Sequence, residues 1–232
     1  DLSPTITSTG FTTPPVTNGG INSSSNFVSY SWKAGGAVVS NTDGTITSQV
    51  SANTATGFSI VTGSVPSSGY TNTFGHGLND TPKIVISKVI NDVSDWFVSN
   101  NFLANNCLKL NNSNAAFSDS VFGQTSTTIK TGFTYITYCF HSVAGYSKIG
   151  FYVGNGSTTG PEIYTGFKPA WLMTKPTTSG YWYILDNKRN TSNPRNTGLF
   201  PNDILAEITN SAYDVDFNDT GFQPKNNSIG FN

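Results

Sequence analysis

The chain has 232 residues, enough for one large all-β domain or two small ones. Only 11% are charged and the formal net charge is -1, which excludes the clustered basic surface that nucleic-acid binding needs. Aromatic residues at 13% argue against extensive disorder, and no run of about 18 apolar residues is present to span a membrane as a helix.

In chain order, Asp1 to Ser25 is rich in Thr, Ser, Pro and Gly and reads as a loop or extended arm. Asn26 to Trp32 alternates, with Val28, Tyr30 and Trp32 on one face and Ser29 and Ser31 on the other, the pattern of a half-buried strand. Asn41 to Gly44 is a hairpin-type turn signal. Short strands are predicted over Thr45 to Ser51 and Gly57 to Thr62, then a polar loop over Ser64 to Asn72. Lys83 to Val89 is the clearest strand, turned by Asn91 to Asp95 and returned by Trp96 to Ser99. Asn101 to Leu110 fits a short helical face, but its Asn residues favour strand and turn. Val121-Phe122-Gly123 is a short apolar piece. Phe133 to Phe140 alternates, with Ile136, Tyr138 and Phe140 on one face. Ser147 to Val153, Ala170 to Lys175 and Tyr181 to Leu185 are strands, the first two separated by a hairpin-type turn at Gly154 to Ser157. Asp203 to Ile208 fits a turn of helix.

These parts repeat. Gly77, Pro82, the KIVISK run and Trp96-Phe97-Val98 reappear as Gly166, Pro169, AWLMTK and Trp182-Tyr183-Ile184, offset by 87 residues at the prolines and 86 at the tryptophans. Val28, Tyr30 and Trp32 match Ile136, Tyr138 and Phe140 at a constant offset of 108. The fold class is therefore all-β: two similar antiparallel β-sandwich units, lectin- or jelly-roll-like, with little helix. The predicted organisation is an arm (1–25), a first β unit with its N-terminal strand (26–145) and a second unit (146–232) lacking a counterpart of Tyr135 to Phe140. A sandwich short of one strand has an unpaired edge. Phe27, Val28, Tyr30 and Trp32 are accordingly candidate strand-exchange residues, completing a repeat body other than the first, in their own chain or in a neighbouring subunit. The alternative is a piece of a longer array, and the start at Asp1 without Met fits that alternative.

Motifs for chemistry are sparse. Gly154-x-Gly156 with Gly160 lacks phosphate-loop spacing and a following Lys, so it reads as a turn. The only two Glu, Glu162 and Glu207, lie in polar stretches and read as solvated surface rather than a glycosidase pair. No Gly-x-Ser-x-Gly is present. Asp214, Asp216 and Asp219 lack EF-hand spacing, and Cys107, Cys139, His76 and His141 lack metal-ligand spacing. No metal and no cofactor is expected. The cysteines read as free thiols, Cys139 as a small buried hydrophobe, with a Cys107–Cys139 disulfide across a sheet as the alternative. Trp96, Trp171, Tyr181 and Trp182 fit either a sugar-stacking surface or the core. Asp186, Asn187, Lys188, Arg189 and Asn190 form the one cluster of basic and amide side chains in a charge-poor chain, a candidate contact for a subunit or ligand. Pairing of Arg189 with Asp186 is the structural alternative.

Trp32 to Gly63, Phe74 to Lys88, Tyr135 to Lys175 and Trp182 to Asn190 together resemble a repeat domain of marine bacteriophage structural, tail-fibre-like proteins of uncharacterised function. The strings Trp-Lys-Ala-Gly-Gly and Gly-Tyr-Ser-Lys-Ile-Gly carry the resemblance; the loop Ser64 to Thr73 departs from it, being longer than the Gly-Asn-Gly turn usual there, and so does the truncated C-terminus. It implies a virion structural protein, a fibre, tail appendage or capsid decoration, that is not an enzyme. Its partners would be copies of itself or other virion proteins, with possible attachment to a host-surface glycan; no nucleic acid and no membrane insertion are expected. A lectin-like carbohydrate-binding adhesin module is the alternative, and a polysaccharide-degrading enzyme the third reading.

Overall fold

The computed structural model describes residues 4–13, 26–66, 72–103, 106–118, 128–129 and 132–232. They are all-β, with antiparallel ladders throughout, and their one helical piece is a single 3-10 turn at Ser211–Tyr213. They fall into two compact units, Asp1–Trp32 and Lys33–Asn232.

In the first unit β1 (Thr5–Ile6) and β2 (Phe11–Thr12) make a hairpin, closed by the Thr7 N–H donating to the Gly10 carbonyl at 2.8 Å. The predicted half-buried strand at Asn26 to Trp32 is not formed. This stretch joins no sheet, and Phe27 and Val28 are 53% and 52% exposed. Alternation makes a segment able to pair, but a strand needs a neighbour to accept its ladder.

The second unit opens with β3 (Val39–Asn41), β4 (Ser48–Asn53), β5 (Phe58–Ser64), β6 (Asn72–Thr73), β7 (Ile84–Val89), β8 (Trp96–Asn100), β9 (Asn106–Lys109), β10 (Phe117–Ser118), β11 (Thr128–Ile129) and β12 (Thr134–Phe140). Eight of these form one sheet in the order β10-β9-β8-β7-β12-β5-β4-β3, while β6 pairs with β11. The long strand β12 lies between β7 and β5 and ladders with both. The described residues of Asn101 to Leu110 resolve as turn and strand. The predicted piece at Val121 to Gly123 lies outside the described residues.

Alternation assigns the two faces of this sheet. Val85, Val89, Cys107, Tyr135 and Cys139 pack on one side with Val50 and Val61. Ile84, Ile86, Val98 and Leu108 point to the other. On β12 the buried residues are Tyr135, Thr137 and Cys139, whereas Ile136, Tyr138 and Phe140 are half-buried. Both cysteines are free and buried, and burial pushes the Cys139 thiol up to about 12.

The chain continues through β13 (Ile163–Tyr164), β14 (Trp171–Thr174), β15 (Tyr183–Asp186), β16 (Thr197–Gly198), β17 (Ile208–Thr209), β18 (Val215–Asn218) and β19 (Gly221–Pro224). The repeat holds to the residue. Ile84 opposite Asn100 becomes Trp171 opposite Asp186, and Cys107 opposite Phe117 becomes Gly198 opposite Ile208. The Ile184–Leu199 bridge stands where Val98 pairs with Leu108. Strand order β10-β9-β8-β7 is therefore rebuilt as β17-β16-β15-β14, there as two two-stranded ladders joined by the single Ile184–Leu199 bridge. One face of the β14–β15 hairpin, with Met173 and Trp182, packs onto Val98 and Leu108 of the large sheet. The other, with Leu172, Tyr183 and Leu185, packs on Phe200, Phe217 and Phe231. The hairpin is thus a layer shared by two cores.

Two further expectations need correction. Ser147 to Val153 makes no ladder beyond the single Val143–Ser147 bridge, and Phe151 and Val153 are 57% and 72% exposed. Gly154 to Ser157 therefore turns the chain without joining two paired strands. Asp203 to Ile208 is not helical, because Ile208 is drawn into the ladder with Gly198.

Candidate functional site

The cluster Asp186 to Asn190 begins where β15 ends. Asp186 closes the strand with an Asx turn: its Oδ1 accepts the N–H groups of Lys188 and Arg189, both at 2.9 Å. Asn100 does the same at the end of β8, accepting from Phe102 at 3.0 Å and Leu103 at 2.9 Å. Only at the second position does a guanidinium follow. Arg189 donates from Nε to Asp186 Oδ2 at 2.7 Å, from Nη1 to Glu207 Oε2 at 3.1 Å and from Nη2 to the Ile184 carbonyl at 3.0 Å. Burial works to raise the Asp186 carboxyl, but the bonds from Arg189 and Lys188 and the Arg189 charge hold it below the usual carboxylate range. Asn190 turns inward too, its Oδ1 accepting from Asn196 at 3.0 Å and Thr197 at 2.7 Å. Asp186, Arg189 and Asn190 therefore fix the loop, while Lys188 is exposed and Asn187 partly so. Glu207 is exposed, as expected of solvated surface, and the fold also brings its carboxylate to Arg189.

The aromatic candidates separate. Trp182 is 4% exposed and lies in the core, its Nε1–H donating to the Lys109 carbonyl at 2.8 Å. Tyr181 meets Phe200 edge-on within the second core. Trp96 stays half-buried on the large sheet and stacks on Tyr138, centroids 6.2 Å apart. Tyr138 is parallel to Phe58, which stacks on Phe140 at 4.7 Å. Trp96, Tyr138, Phe58 and Phe140 thus form a row across β8, β12 and β5. Sequence reasoning found only Trp96; the signal for the rest was the cross-strand pairing of Phe58 with Phe140, invisible before the register was known.

Asp214, Asp216 and Asp219 do not converge. Asp214 accepts from Asn196, Asp216 faces Lys225 at 3.8 Å, and the exposed Asp219 faces Lys168 at 3.1 Å. Residues distant in sequence do meet elsewhere: burial first, then the nearby His141, pulls the His76 ring below its ordinary value against the opposing pull of Asp43. Arg195 is a buried cation lying over the Phe217 ring at 5.5 Å, with Nε and Nη1 making no hydrogen bond.

Residues 3–232 match a family described as a domain of unknown function, DUF7483. The chain belongs to that family. No curated protein and no solved structure matches it. What this DUF7483 domain offers for contact is thus a sheet face with an aromatic row, a β15 loop presenting Lys188 and Asn187, and sheet edges.

Proposed function

We propose that this DUF7483 domain is a structural building block of a bacteriophage virion, in a fibre, tail appendage or capsid decoration, working by self-association and contact with the host surface rather than by catalysis. One observation carries the reading: the same four-strand meander is built twice in one chain, in the same register, and the two copies are stacked through a shared layer. Stacked repeats suit a component that extends or tiles an assembly, since each unit buries its face on the next. The sequence resemblance to tail-fibre-like repeat proteins supports the same assignment. Antibodies raised against the purified domain test it. Labelling of fibres, tails or shells in electron micrographs of the encoding particles is the expected result; unlabelled intact particles would overturn it.

The aromatic row favours one second reading, a carbohydrate-binding module. Half-buried Trp96, Tyr138 and Phe140 offer ring faces of the kind that stack on sugars. Binding on a glycan array that is lost in Trp96→Ala would support it, and an array without signal would dismiss it.

A further inference from the structure

The first meander is completed by β12, which pairs with β7 on one side and β5 on the other. In the second meander both counterparts of those neighbours lack such a strand. The counterpart of β7 is β14, which ladders only with β15 among the described residues, all four of its residues being half-buried. The counterpart of β5 is Gly150 to Val153: Gly57-Phe58 and Gly63-Ser64 recur as Gly150-Phe151 and Gly156-Ser157, an offset of 93 at each. That segment joins no sheet.

A strand with the pattern of β12 is present in the molecule. At the offset of 108, Tyr135, Thr137 and Cys139, the residues β12 buries, become Phe27, Ser29 and Ser31. An aromatic ring and two small residues are kept in order. The half-buried face, Ile136, Tyr138 and Phe140, becomes Val28, Tyr30 and Trp32, apolar or aromatic at every position. Phe27 and Val28 lie exposed, in a stretch that joins no sheet.

We propose that Phe27 to Trp32 of one copy of this chain adds as a strand to the β14 edge of a second copy, so that copies are linked by strand donation. This names the surface used in the self-association reading above and rests on it. The occupant is a second copy because its sequence reproduces, position by position, the strand that fills the same place in the first sheet. The register transfers directly. Thr137 faces Ser87, with their hydroxyl oxygens 3.1 Å apart in the buried layer. The equivalent pair is Ser29 of the donor against Thr174, again two hydroxyls. Tyr30 then stands opposite Met173 and Trp32 opposite Trp171. Thr174 Oγ1 now donates to the Gly230 carbonyl at 3.3 Å, a single side-chain bond that the new ladder would replace. Main-chain bonds along β14 supply affinity, and the alternating side chains supply register.

The test uses the full chain with Ser29→Cys and Thr174→Cys together. In the first sheet the matching pair is a facing one, and directly facing positions of an antiparallel pair come within disulfide range. Cys107 and Cys139 are buried and do not compete. Mild oxidation should give covalent oligomers on a non-reducing gel, reversed by reductant and absent in either single variant. A disulfide within one chain, or none at all, would overturn the proposal. In parallel, Tyr30→Pro removes a ladder N–H and should convert the oligomer to monomer by sedimentation, with the melting temperature of the Lys33–Asn232 body unchanged. Oligomers that persist in Tyr30→Pro would show that another surface joins the copies. That outcome ends the strand proposal while leaving particle labelling, and the proposed function, intact.

Discussion

At the scale of single residues, the loop after β15 shows how a polar cluster is divided between structure and contact. Asp186 and Arg189 have side chains only 9% and 12% exposed, so their ion pair is shielded from water and charge-assisted. Removing one partner leaves the other charge buried and uncompensated. Arg189→Ala is expected to lower unfolding stability by about 3 kcal/mol, read from denaturant midpoints. Acid supplies the control. The Asp186 carboxyl is held below its unfolded value, so its contribution is complete above about pH 4 and is lost as pH falls through the folded value. The gap between wild type and Arg189→Ala should therefore close in acid. A gap independent of pH would assign the loss to Arg189 packing instead. Lys188→Ala, which removes an exposed side chain, is expected to leave stability unchanged.

At the scale of elements, the ladder of β13 and β19 depends on a close backbone approach. A methyl group built on Gly221 would overlap the Ile163 carbonyl, its cross-strand neighbour being Tyr164. Gly221→Ala is expected to break this pairing at a cost of about 1–3 kcal/mol, the usual scale for overpacking. Hydrogen exchange should show faster exchange in Ile163–Tyr164 and Gly221–Pro224, with β7 and β12 unaffected. Unchanged protection at β13 would mean that the ladder accommodates the methyl group without breaking. The same scale explains two corrections. Asn26 to Trp32 and Ser147 to Val153 read as strands in the sequence but form no ladder. What they lack is an adjacent edge, and an edge is a property of topology.

At the scale of the whole Lys33–Asn232 body, the shared layer sets cooperativity. Trp182 fills the contact between the two meanders and donates to the Lys109 carbonyl, a link 73 residues long in sequence. Trp182→Ala is expected to cost about 3–5 kcal/mol, the range for emptying a buried aromatic site. Wild type should melt in one transition, because the β14–β15 hairpin of the second meander also covers Val98 and Leu108 of the first, so the two meanders share a core. Two separate calorimetric transitions in wild type would show that the meanders fold independently.

Local information settled much of this. Lys83 to Val89 and Ala170 to Lys175 were legible because a short apolar run, a flanking Pro and a returning aromatic strand all lie within about twenty residues. The repeat was legible for the same reason, and the structure reproduces it down to the residue opposite Asn100 and Asp186. The Arg189–Asp186 pairing was one of two readings, and spacing could not choose between them. Tertiary structure decided the rest. It chose which face of β12 is buried, since both faces alternate equally well and only the layer packed against each distinguishes Tyr135, Thr137 and Cys139 from Ile136, Tyr138 and Phe140. It placed Trp182 in a core and left Trp96 half-buried in an aromatic row, although the two hold equivalent positions in the repeat. Pattern along a chain fixes what a segment can pair with; the free energy of burial depends on what lies above and beside it, and that is set only when distant segments meet.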